Sequence, residues 1–523
     1  MLQLIIHVLL RSMPGQNPAE GRMKKLTKIC AATIVCALMA WWSFKDPLKI
    51  VNQSFYDQFS ENLILCSMLN ESGDKTDTKT KLGIVGYLPA QNCRDQFFDS
   101  SAGVVLKKRM LSKVSDENWY NGVSRSTQSF IVDTSLQNLY KFAPGQKIFM
   151  PNGQTRSVVS LSGGSTYLNV NYSGDMLTPG EFLTKRKPAD ITSNLAVGVY
   201  TSQIGASGYL YSRLYKHFGG VDMQPYRLLS SVLTAVVLTI LLAMLSKEFG
   251  LLASIGAGMI LMASPWWLEF SGNLYWSPWN WFLPVLVTAY WISKHGLANA
   301  IRSKAFLALY TLAVVIKCSF GYEFLPSVLI ISTLPAIYFG LANKDTPQAI
   351  AKAFFILFIS ATIGFVISAL LHAYLRSGVI LDGLHGIATD VTRRTYASGA
   401  DVRPELGNGA DLIETLWRYF GSFYQPIIAG ANFAFSWIFL ACIYIQAIAA
   451  VFYIGKLRDI AITAMFSMTV TMSWVVLAKG HAAMHLHINP VLWVMAFLPM
   501  TGAILMMMIQ RIWISSSSQR SAG

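Results

Sequence analysis

LLSSVLTAVVLTILLAML, residues 228–245, carries no ionisable side chain, and its reading decides the fold. A stretch this long and apolar matches the ~20 residues that a helix needs to cross the ~30 Å hydrocarbon core of a bilayer. It also lacks the apolar–polar alternation of a barrel strand. Nine further apolar stretches lie at about 29–44, 251–268, 279–292, 305–322, 326–341, 353–375, 431–454, 460–478 and 488–510. Lipid offers no partners for backbone polar groups, so the spans must be helical. The expectation is a polytopic α-helical membrane protein of about ten transmembrane helices.

Composition agrees. The 523 residues are 53% hydrophobic and only 13% charged, with a mean hydropathy of +0.42. A formal charge of +15 would suit nucleic acid if it formed one patch, but the lysines and arginines stand in short loops beside apolar runs. That is where they orient membrane helices, so nucleic acid is excluded as a partner and membrane lipid is included. With the N-terminus inside, Lys24, Lys25, Lys28, Lys247, Lys294, Arg302, Lys304, Lys344, Lys352, Lys456, Arg458 and Arg511 all fall on the cytoplasmic side. Both termini are then cytoplasmic. Lys317 and Lys479 break the pattern and fall on the outer face.

The resulting layout has an N-terminal extension (1–22), a first transmembrane helix (23–45) and a large outer loop (46–227). A bundle (228–375), a second outer loop (376–430) and C-terminal helices with a short tail (431–523) follow. "MKKLTKICAATIVCALMAWWSF" has the basic-then-apolar form of an anchor or signal segment, so translation is expected to begin at Met23. Within the first loop, GQKIFMPNGQTRSVVSLSGGSTYLNVNYSGDML (145–177) alternates like short strands, with Asn152-Gly153 and Gly163-Gly164 as turns. A small β-rich module over about 115–190 is predicted. Cys66 and Cys93 share this loop, where an oxidising compartment would let them pair.

Five stretches carry a resemblance: KDPLKIVNQSFYDQFSENLILCSM (45–68), YTSQIGASGYLYSRL (200–214), NLYWSPWNWFLP (273–284), KCSFGYEF (317–324) and KGHAAMHLHIN (479–489). With a long outer loop directly after the first helix, they resemble the bacterial branch of the GT-C superfamily of membrane glycosyltransferases. DENWYNGVSRSTQSF (116–130) looks like a module that recurs in cell-envelope proteins. The resemblance implies a polyprenyl-phosphate sugar donor, an envelope glycan or lipid acceptor such as O-antigen, and a site on the extracytoplasmic side of a bacterial inner membrane. It also implies a catalytic carboxylate in the first outer loop. Asp57 is the first candidate, followed by Glu61 and Asp46.

The chemistry of such a transfer asks for a base to take the proton of the attacking hydroxyl. Asp57 and Glu61, four apart, would share a helical face; the competing reading is a set of solvated loop acids. The phosphate of the donor asks for positive charge. Lys479 and Lys317 suit it because cations at this depth are costly, and Arg393, Arg394 and Arg403 offer bidentate forks, although their loop is nearly charge-balanced. His481, His485 and His487, with Glu323 and Glu269, are candidates for sugar or acceptor binding. Glu323 also pairs with Lys317 if a helix continues between them. The histidine spacing permits a divalent metal, but no cysteine stands nearby, so no cofactor is required. Trp266, Trp267, Tyr275 and Trp276 read as interface anchors. Two rival readings remain: an O-antigen polymerase or ligase, and a lipid-linked glycan transporter or flippase. Transporters tend to show internal repeats and mid-span charges, which are not evident here.

Overall fold

The computed structural model describes residues 18–47, 58–69, 80–84, 144–145, the strands between 104 and 183, 200–219, 223–396, 412–421, 435–484 and 488–520. The N-terminal helix α1 (Pro18–Lys45) is followed by α2 (Gln58–Leu69). Strands β1 (Val104–Val105), β2 (Leu111–Lys113), β3 (Gln128–Asp133), β4 (Lys147–Phe149), β5 (Thr155–Gly163), β6 (Tyr167–Ser173) and β7 (Phe182–Leu183) come next. Five of them form an antiparallel sheet in the order β2-β3-β6-β5-β4, and β1 pairs with β7. A register shift between Val158 and Ser160 bulges β5. Val158, opposite Tyr172, is buried with it.

The helical part opens with the amphipathic α3 (Ala206–Phe218) and the apolar α4 (Gln224–Phe249). Pro225 sits in the first turn of α4, where its missing N–H costs nothing. Then come α5 (Leu251–Ala263) and α6 (Pro265–Gly272), bent by 76° at Ser264. The Ser264 side chain caps α6 by accepting from the Trp267 N–H, and Pro265 starts it. A 3₁₀ turn at Pro278–Asn280 leads into α7 (Leu283–His295), and α8 (Leu297–Arg302) into α9 (Lys304–Phe320), capped by Ser303. Helices α10 (Leu325–Ala342), α11 (Pro347–Ser377, capped by Thr346) and α12 (Ile380–Tyr396) follow. The chain then forms α13 (Leu412–Gly421), α14 (Phe435–Phe452), α15 (Lys456–Phe466), α16 (Met468–Leu477), α17 (Lys479–Met484), α18 (Val491–Met495) and α19 (Phe497–Arg520).

This is a helical membrane protein. Wherever they are described, the apolar stretches are predominantly helical. Among the described residues, five helices are long and apolar enough to cross a bilayer, and a sixth joins them if the bent α5–α6 pair counts as one span. The shorter apolar helices include Ala31–Lys45 and Ser436–Phe452. Within 251–295, Pro265, Pro278 and Pro284 divide the chain into short pieces.

Side-chain contacts identify the two ends of the bundle. At one end Tyr338 donates to Glu248 Oε1 at 2.8 Å, and Lys456 Nζ lies 2.8 Å from the same oxygen, tying together α10, α4 and the start of α15. At the other end lie Arg227, the 273–277 turn, the end of α9 and the start of α10. The core at that second end is aromatic, with Trp266, Trp267, Trp281, Phe324 and Trp493 almost wholly buried.

Candidate functional site

Glu61, on α2, is fully buried. Both its carboxylate oxygens meet Arg227 at the head of α4: Arg227 Nε donates to Oε1 at 3.0 Å, and Nη2 donates to Oε2. Oε1 also accepts the Leu274 backbone N–H at 3.3 Å. A planar guanidinium fits a carboxylate through two parallel bonds, which fixes direction as well as distance. The pair therefore clamps the segment after the first helix onto the bundle and onto the 273–277 turn. Arg227 is the residue that sequence reasoning missed. The signal was available, since it is the charge standing immediately before the apolar run 228–245.

The turn itself is organised by Asn273, whose Oδ1 accepts from the Tyr275 and Trp276 N–H groups at 3.0 and 3.3 Å. Ser277 is held at a positive φ of 42°. Tyr275 then donates its hydroxyl to Glu323 Oε1 at 2.9 Å. The turn thus links Glu61, through Leu274, to Glu323, through Tyr275.

Glu323 and Lys317 interact electrostatically, but no helix continues between them. Helix α9 stops at Phe320, and Lys317 Nζ donates to the Gly321 carbonyl at 2.6 Å. Phe324 then takes a left-handed φ of 58° before α10 starts. The chain breaks at Gly321 between the two groups, which corrects the helical offset expected from sequence. Gly321 leaves room there: a Cβ would displace the carboxylate end of Glu323 and the amide end of Gln203. Lys317 is 2% exposed. Its ammonium is bonded to the Gly321 carbonyl, so it supports this wall of the site from inside.

An aromatic path leaves the turn. Trp276 stacks on Phe324 at 5.4 Å between ring centroids, Phe324 meets Trp474 edge-on at 5.1 Å, and Trp474 meets His481 edge-on at 5.4 Å. Trp266, Trp267, Tyr275 and Trp276 are all buried, so they serve as core and not as interface anchors. The physical reason is the bent α5–α6 pair, which folds this aromatic segment back into the bundle.

The 479–489 motif starts as the short helix α17, which carries Lys479 and His481. Lys479 and His481 are half-buried. Asn489 is fully buried and donates from Nδ2 to the Ala482 carbonyl at 2.9 Å, folding the far end of the motif back on α17. His485 and His487 lie outside the described residues, as do Asp57, Cys93 and Arg403. Arg393 and Arg394 lie on α12, with side chains outside the described set. Among the described residues no group of three or more His, Cys, Asp or Glu is placed to hold a metal.

Glu269 is buried in α6, away from solvent. Asp46 closes α1 with a left-handed φ of 40°, and its N–H donates to the Trp42 carbonyl at 2.9 Å. Cys66, buried on α2, is disulfide-bonded. Tyr211, on α3, is fully buried at the same end. Burial pushes its hydroxyl up to about 12; Ser277 and Ser230 pull it down, and Glu61 adds a small upward push. A strap, residues 80–84, crosses this region. Lys81 N–H donates to the Leu375 carbonyl at 2.7 Å, and Gly83 N–H to the Ile204 carbonyl at 2.9 Å.

The arrangement offers two buried carboxylates, one held by a guanidinium and one by a hydroxyl, joined to the half-buried His481 by a path of aromatic rings. Comparison with protein-family models, curated proteins and solved structures finds no match to this chain.

Proposed function

We propose that this protein is a GT-C-type glycosyltransferase of a bacterial inner membrane, with both termini cytoplasmic and its site on the outer side. It would move a sugar from a polyprenyl-phosphate donor to an envelope glycan or lipid such as O-antigen. The observation that carries this reading is the clamp from Glu61 to Arg227 and the Leu274 N–H. It fastens the acidic segment that follows the first helix to the end of the bundle where Glu323, Trp474 and His481 gather. Rigid support for reacting groups is what transfer chemistry demands.

In this reading Asp57, the residue directly before α2, is the base. It takes the proton of the acceptor hydroxyl as that oxygen attacks the anomeric carbon. The bond from that carbon to the donor phosphate breaks, and polyprenyl phosphate leaves. Lys479 steadies the departing negative charge with Arg393 or Arg394. Glu61, paired with Arg227, and Lys317, bonded to the Gly321 carbonyl, position their neighbours. His481, His485, His487, Glu323 and Glu269 supply polar contacts for sugar or acceptor, and no metal is needed.

The test is the mass profile of envelope glycans from cells with and without the protein. A missing sugar decoration supports the reading, and identical profiles overturn it. In purified protein, Asp57→Asn should lower transfer by ~10²–10⁴-fold with expression unchanged. Transfer at the normal rate would remove Asp57 as the base. Lys479→Ala should weaken donor binding instead.

A further inference from the structure

Helix α11 shows where lipid ends. Its exposed apolar residues run from Phe355 and Phe358 through Ile363 and Val366 to Leu370 and Tyr374. At about 1.5 Å per residue that band is about 28 Å tall, close to the ~30 Å of a hydrocarbon core. The band's upper limit therefore falls near Tyr374, one turn before α11 ends at Ser377. Gly378, left-handed at φ 74°, reverses the chain, and α12 begins at Ile380.

Three faces can be distinguished on α12. Gly383, Gly386 and Asp390 turn toward α11: a Cβ on Gly383 would collide with the Ala373 backbone, and one on Gly386 with the Arg376 guanidinium. Arg376 Nη1 donates to Asp390 Oδ2 at 2.7 Å. Asp382, His385, Thr389 and Thr392 form a polar stripe. Ile380, Leu381, Leu384, Ile387, Ala388 and Val391 form an apolar one, at the i, i+3, i+4, i+7 spacing of a single face. Within it Ile380 is 44% exposed, Leu381 77% and Val391 53%.

The direction of α12 follows from the same contacts. In an antiparallel hairpin, residues near 390 would lie a further two turns down α11. Asp390 instead still reaches Arg376, close to the turn. The helix departs from α11 at the level where the lipid-facing band ends. We infer that α12 lies in the plane of the membrane interface, its apolar stripe seated in the boundary between lipid headgroups and acyl chains. The partner surface is the bilayer itself. The stripe continues the lipid-facing band of α11 through Val379, which is 53% exposed. An amphipathic helix with one polar and one apolar face suits that position. It also packs against α17, so the membrane surface becomes a floor beneath Lys479 and His481.

The test uses full-length protein in phospholipid nanodiscs. Single cysteines replace Leu381 and Val391 on one stripe, or His385 and Thr389 on the other, in a background without accessible native thiols. Each carries an environment-sensitive fluorophore. Labels at 381 and 391 should emit at shorter wavelength and be quenched by doxyl-labelled lipid, with those at 385 and 389 quenched by aqueous iodide. Equal iodide quenching of all four overturns the inference. So does protection of 381 and 391 from both quenchers, which would mean that protein covers the stripe. All four positions are exposed on the protein surface, and thermal unfolding of each labelled variant verifies that the fold survives. The outcome is independent of whether the protein transfers sugar.

Discussion

The buried pair of Glu61 and Arg227 concentrates the energetic stakes of the site on two side chains. Removing one partner leaves the other charged in the interior, which typically costs ~3–5 kcal/mol, whereas apolar replacement of both is often nearly neutral. Glu61→Gln or Arg227→Met alone should therefore lower the thermal unfolding temperature in detergent far more than the double replacement Glu61→Leu with Arg227→Met. Equal losses in single and double variants would contradict the clamp. Tyr211 gives a second expectation. With its folded value raised to about 12 above the ordinary value of about 10, the unfolded chain releases the proton first as pH rises. Its contribution is full below pH about 10 and is lost between about 10 and 12. Tyr211→Phe should flatten that alkaline loss of stability, as read by unfolding at successive pH values. Cys66 is oxidised, and its expected partner Cys93 is tested by gel mobility with and without reductant. Persistence of the mobility difference in Cys93→Ser would eliminate that pairing.

Glycines decide how closely several elements approach. On α5, Gly256 faces Gly502 of α19, and a Cβ on either would run into the other's carbonyl. Gly208 meets the Gly83 carbonyl of the strap in the same way, and Tyr209 donates to the Lys81 carbonyl beside it. Overpacking of this kind typically costs ~1–3 kcal/mol. Gly256→Ala should lower the unfolding temperature by separating α5 from α19, and Gly208→Ala should do so by displacing the strap. An unchanged temperature for Gly256→Ala would mean that the two helices can part at little cost. The helices themselves were legible. Long apolar runs such as 326–341 and 353–375 correspond to α10 and α11, and Ser303 and Thr346 cap as their residue types suggest. The bend at Ser264 was not, because a proline at the first helical position is compatible with a straight start or a sharp turn.

For the molecule as a whole, the contacts place Glu248, Tyr338 and Lys456 at one end and Arg227, Gly321 and Trp474 at the other. In the proposed orientation the positive charge near Lys247, Lys344 and Lys456 puts the first end on the cytoplasmic side. Alkaline phosphatase fused after Gly378 should be active, and fused after Lys344 inactive. The reverse pattern would invert the proposed orientation and move the site to the cytoplasm. The proposed interfacial position of α12 belongs to the same frame, since it sets the level of the outer membrane surface.

From residues alone, hydropathy determined that this is a helical membrane protein, because no other structure satisfies the backbone of so many apolar runs in lipid. It also singled out Lys317 and Lys479 as cations in costly places, while Glu61 was drawn from a resemblance and Glu323 and His481 from motifs beside the apolar runs. The roles of these groups depended on tertiary structure. Glu61 acquired a guanidinium from a helix that starts far along the chain, and Lys317 was bonded to the Gly321 carbonyl where its helix breaks. Trp266 and Trp267 went to the core because a 76° bend turned their segment inward. Spacing along the chain reports which residues share a face of one element. It carries no information on which elements meet, and in this protein the pairing of distant elements sets the electrostatics of the site.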